Sequence, residues 1–93
     1  MFIGALRVEL FIGQSGSLKS KRRVVRSLKD RIKANFNVSV SEVDKNDKWQ
    51  RAVIGVACIG KDKKYINGVL SRISDLIDAF AETEVIDFKL EIF

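Results

Sequence analysis

Even positions from Phe2 to Ile12 read Phe2, Gly4, Leu6, Val8, Leu10 and Ile12, while the odd positions admit Arg7 and Glu9. That period of two predicts a strand with one face on a core. Gly13-Gln14-Ser15-Gly16 breaks the pattern, and Ser17 stands where a hydroxyl can cap a helix. Behind it Leu18, Val24, Val25, Leu28 and Ile32 recur at three- and four-residue steps, which predicts a helix ending near Asn35. Phe36 to Val43 and Trp49 to Ile59 read as two further strands. Asp44-Lys45-Asn46-Asp47-Lys48 between them favours a turn, so the pair is predicted to form a hairpin. After Gly60, Asp62 is placed to cap a second helix, whose Tyr65, Ile66, Val69, Leu70, Ile73, Leu76, Ile77 and Phe80 share one broad stripe. Ile86, Phe88, Leu90 and Ile92 then alternate with Asp87, Lys89 and Glu91 in a fourth strand.

Strand, helix, strand, strand, helix, strand is the order of a ferredoxin-like α+β sandwich. Its expected form is an antiparallel four-stranded sheet in the order 4-1-3-2, with both helices on one face. Even positions of strands one, three and four would face the helices, leaving Ala5, Arg7, Val53, Gly55, Ala57, Asp87 and Lys89 on the uncovered face. Ninety-three residues suit one domain, 1–93, that buries roughly two-thirds of its unfolded surface.

Composition removes several kinds of chemistry. There is no histidine and one cysteine, Cys58, so intrachain disulfides, Cys/His zinc sites and triads with an imidazole base are excluded. No catalytic residues, metal ligands or cofactor are expected. The apolar opening is interrupted by Arg7 and Glu9 before it reaches the length of a signal peptide or membrane span, so the expected location is cytoplasmic, away from membranes.

Charge changes the picture most. Between Ser17 and Lys33 lie eight bases and one acid, Asp30, a segment of +7; the remaining nine bases and eleven acids give −2, which recovers the total of +5. On a helical wheel Lys19, Arg22, Arg23, Arg26, Lys29 and Lys33 fall in one arc, away from the apolar stripe. Like charges three and four residues apart destabilise a helix by a few tenths of a kcal/mol per pair, and a polyanion offsets that cost. Charged faces that are merely solvated usually mix signs.

Lys21 falls inside the apolar stripe, where it either snorkels past the sheet end or faces an anion near Gly13 to Ser17. In the expected topology Trp49 and Arg51 approach Ser17, Lys19 and Lys21; Trp49 either stacks on a base or closes the core or a subunit contact. Gly13 to Ser17 lacks the Gly-Lys-Ser/Thr ending of a phosphate-binding loop, and strand three lacks the aromatics of an RNA-recognition motif.

Ser17-Leu18-Lys19-x-Lys21-Arg22-Arg23, Phe36-Asn37-Val38-Ser39-Val40, Glu42-Val43-Asp44 and Trp49-Gln50-Arg51-Ala52 together make the chain resemble the YlxP family of small bacterial proteins. The resemblance implies a ferredoxin-like fold and a gene often found beside those for transcription elongation and translation initiation factors.

The expectation is a non-enzymatic module that docks structured RNA or a ribonucleoprotein, linked to transcription, translation or the ribosome. Its contact residues would be Lys19, Lys21, Arg22, Arg23, Arg26, Lys29 and Lys33, with Trp49 and Arg51 at the edge. Two rivals stand beside it. One is an acylphosphatase-like enzyme holding phosphate in the loop after strand one, with Lys21 or Arg51 as the cation. The other is a homodimer or self-associating scaffold that pairs open sheet faces through Ile3, Ala5, Phe11, Val53, Gly55, Ala57, Ile59 and Val85.

Overall fold

The computed structural model describes all residues, Met1–Phe93. The alternation at the start of the chain becomes β1 (Phe2–Phe11), followed by α1 (Leu18–Asn35), the hairpin β2 (Ser39–Asp44) and β3 (Arg51–Gly60), α2 (Lys63–Asp78) and β4 (Glu84–Ile92). All pairings are antiparallel and the strand order is β2-β3-β1-β4, the expected order read from the other edge. Both caps form as the sequence predicts. Ser17 Oγ accepts the Ser20 amide at 3.0 Å and Asp62 Oδ1 accepts the Tyr65 amide at 2.7 Å, each satisfying a donor that a helix start leaves free.

The core lies between the sheet and the two helices. Leu6, Leu10 and Ile54 from the central strands meet Leu28 and Ile32 of α1 and Ile66, Leu70 and Ile73 of α2, all fully buried. Gly4 permits the close approach of α2, because a Cβ there would run into Ile66 and Leu70. Phe80, expected on the α2 stripe, lies just beyond the helix and is still buried in the core.

β2 begins at Ser39 rather than Phe36, because the Phe36 amide closes the last turn of α1 on the Ile32 carbonyl at 2.9 Å. β3 begins at Arg51 rather than Trp49. Two bulges shift the sheet parity. One lies where Glu9 pairs with Asp87 but Leu10 pairs with Val85, the other where Ile54 pairs with Glu42 but Val53 pairs with Asp44. Each inserts an extra residue, Ile86 or Val43, and turns the neighbouring side chains to the other face. Val85 therefore packs on the helix side, correcting its expected place on the open face.

Candidate nucleic-acid interface

α1 is held to the sheet by Val24, Val25, Leu28 and Ile32, which leaves the opposite arc to solvent. Lys19, Arg22, Arg23, Arg26 and Lys33 are exposed and Lys29 is half-buried. The chain contains five ion pairs, and none involves these six residues or Asp30. Neighbours along this ridge stand three or four residues apart with the same sign, a repulsive arrangement. The first turn holds no acid, although acids there would complement the helix dipole. Ser17, Lys19, Ser20, Arg22, Arg23 and Arg26 line a shallow hollow of about 600 Å³ with no acidic or apolar member. Arg31 belongs elsewhere: its guanidinium sits 5.5 Å from the centre of the Phe80 ring.

Lys21 departs from both readings of the sequence. It is 0% exposed, so it neither snorkels to water nor faces a bound anion. Its Nζ donates to Glu42 Oε2 at 2.9 Å and to the carbonyls of Lys45, Asn46 and Arg51 at 2.9, 3.2 and 3.3 Å. An ammonium has three protons, and four acceptors surround this one, so a buried charge that would be costly alone is fully satisfied. Lys21 ties α1 to both ends of the β2–β3 turn and is closed to RNA, which corrects its expected role as a contact. Lys45, whose backbone is left-handed at φ 56°, is held in that turn by its carbonyl's bond to Lys21.

Trp49 and Arg51 form a surface separate from the ridge. Arg51 gives its carbonyl to Lys21, but its side chain turns to the open sheet face, where Nη1 lies 3.2 Å from Glu9 Oε2 and the guanidinium 5.7 Å from the Phe11 ring centre. Trp49 is 56% exposed and takes no part in the core, so it does not close it. The next residue is pinned to the β1–α1 loop: the Ile12 amide donates to the Gln50 carbonyl at 2.8 Å, and Gln50 Nε2 to the Gly13 carbonyl at 3.0 Å.

The open face is charge-balanced where the ridge is not. Arg7 pairs with Asp44, Lys45 and Arg51 share Glu9, and Lys89 pairs with Glu91. Val53, expected as part of an exposed apolar patch, is 0% exposed on this face, opposite Glu9 on one side and Asp44 on the other. The apolar part of the face runs from Val43, whose side chain lies over Gly55, past Ala5 and Ala57 to the far end, where Ile59 pairs with Ile3, and Ile3 exchanges backbone hydrogen bonds with Phe93.

Other chemistry finds little support. Burial pushes the Cys58 thiol above its ordinary range, away from nucleophilic use. No three His, Cys, Asp or Glu residues group as metal ligands, and no helix is long and apolar enough to cross a membrane.

Residues 3–90, a span containing every candidate contact, match the family described as Protein of unknown function (DUF503). The chain belongs to that family. One DUF503 relative is the protein described as Uncharacterized protein YlxP of Bacillus subtilis (strain 168), 38% identical over 82 residues, covering 88% of this chain and 89% of the relative. The resemblance read from the α1 and hairpin motifs is thereby borne out. Among solved structures, a de novo designed protein with a ferredoxin fold superposes with a TM-score of 0.59 at 5% identity, covering all of this chain and 84% of its own. A putative antibiotic biosynthesis monooxygenase from Deinococcus radiodurans gives 0.55 at 18% identity, covering all of this chain and 90% of its own. At such identities the likeness is one of fold alone, and this DUF503 chain shares the ferredoxin-like fold.

Proposed function

We propose that this chain is a non-enzymatic binding module that docks structured RNA, or the RNA of a ribonucleoprotein, along the outward ridge of α1. Arg22, Arg23, Arg26, Lys29 and Lys33 would meet phosphates, with Lys19 at the leading end. One observation carries the reading: six like charges on one helix face have no internal partner, while the bases of the open sheet face do. Neutralising such a row with phosphates releases counterions from the nucleic acid, which drives association. Work in the cytoplasm beside transcription, translation or the ribosome accords with the same reading, and the gene neighbourhood implied by the YlxP resemblance agrees with it.

The test is charge reversal at Arg22, Arg26 and Lys33, with affinity measured for a hairpin RNA and a DNA hairpin of matching sequence. The variant should bind RNA on the order of ten-fold or more weakly. An unchanged affinity would reject the proposal, and a strong preference for the DNA hairpin would reassign the partner.

The acylphosphatase-like rival loses Lys21, which four acceptors enclose, and its remaining cation, Arg51, is already paired with Glu9. Acyl phosphate hydrolysis that disappeared with Arg51→Ala would restore it. Self-association through the open face is favoured by Ile59 and Phe93, which are 64% and 67% exposed. It is compatible with RNA binding because the helices occupy the other face, and a strict monomer in light scattering would remove it.

A further inference from the structure

We propose that the hollow beside Trp49 takes one unpaired base of the RNA whose phosphates lie along α1; the inference rests on the RNA reading above and narrows its partner to a duplex interrupted by a flipped-out nucleotide. The hollow measures about 570 Å³, and Phe11, Ser15, Gly16, Lys48, Trp49, Gln50 and Arg51 line it. It contains two cations and no acid. Bases in RNA become readable where they leave the stack, and proteins receive them on aromatic rings and guanidinium planes. Both kinds of group line this hollow. Trp49 is exposed, while its neighbour Gln50 is anchored twice to the β1–α1 loop. The Arg51 plane is held between Glu9 and the Phe11 ring.

Position links this hollow to the ridge. Gly16 lines the Trp49 hollow and the next residue, Ser17, lines the hollow of Lys19, Arg22 and Arg26. The two hollows therefore meet at consecutive residues of the protein backbone, at the start of α1. Stacking on an indole tolerates any base, so the site would select for an unpaired nucleotide rather than for its identity.

Trp49 is the chain's only tryptophan, so its emission reports on the hollow alone. The experiment titrates the full chain with two hairpin RNAs identical except for one bulged nucleotide in the stem. The bulged RNA should quench Trp49 emission and bind on the order of ten-fold tighter than the perfect stem. Trp49→Leu should abolish that preference while leaving affinity for the perfect stem unchanged, and Trp49→Phe should retain most of it. Equal affinities with unquenched emission would overturn the inference and leave the ridge reading standing. Failure of both RNAs to bind would overturn both.

Discussion

The outward ridge of α1 and the open face of the sheet carry similar kinds of residue to opposite effect. On the sheet, Arg7, Lys45, Arg51 and Lys89 each stand within ion-pair distance of a carboxylate. On the ridge, six bases stand together with none. Lys21 shows how completely this fold can absorb a cation when it has a structural use for one: one acid and three carbonyls close around it. The number of bases is therefore a poor guide to function, and whether each has a partner inside the domain is a better one. Charges held by internal partners should govern stability and leave polyanion binding alone, whereas ridge charges should do the reverse.

The largest effect expected is at Lys21. Lys21→Met leaves Glu42 and three carbonyls without their donor and should lower unfolding free energy by about 3–5 kcal/mol, measured by urea denaturation. Adding Glu42→Leu should recover part of that loss, since an apolar pair is better tolerated than a stranded buried carboxylate. Full recovery is not expected, because the Lys45, Asn46 and Arg51 carbonyls still lack a partner. A Lys21→Met chain as stable as the parent would remove the distinction between absorbed and free cations.

On the ridge the sign should invert. Lys19→Glu places an acid in the first turn of α1 and removes a like-charge neighbour of Arg22 and Arg23. Stability should rise by about 0.3–1 kcal/mol while RNA binding weakens. Parallel denaturation and binding curves on one preparation check both halves. The smallest effect is expected at Glu9, whose partners Lys45 and Arg51 are well exposed to solvent screening. Glu9→Gln should cost at most about 0.5–1 kcal/mol and leave affinity for an uninterrupted RNA stem, which meets only the ridge, close to the parent's.

Much of the fold is legible from residue pattern because local signals agree. Alternation, helical spacing and capping residues all point to one order of elements, and Ser17 and Asp62 cap as their positions suggest. The bulges are not legible. Val43 beside Glu42, and Ile86 beside Val85, are adjacent positions where an extra residue leaves the alternation readable in two phases, and only pairing with β3 and β1 decides between them. The ridge is readable because its charge is local in sequence. The role of Lys21 is not, since its partners lie 21 to 30 residues away. A signal does exist: Lys21 is a charged residue in the α1 apolar stripe, and Glu42 shares the parity of buried Val40 on β2. Two opposite charges at inward positions of adjacent elements are natural partners. Arg51 is misplaced by topology alone for a related reason, since its nearness to α1 holds for its backbone carbonyl while strand parity sends its side chain through to the other face.

The central claim is tested most directly by how affinity for an uninterrupted hairpin RNA depends on salt in three proteins: the parent, the Arg22→Glu/Arg26→Glu/Lys33→Glu variant, and Glu9→Gln. The logarithm of affinity should fall linearly with the logarithm of salt concentration in the parent. The slope should flatten by roughly 2–3 in the ridge variant and stay unchanged in Glu9→Gln. Equal slopes in all three would contradict the account.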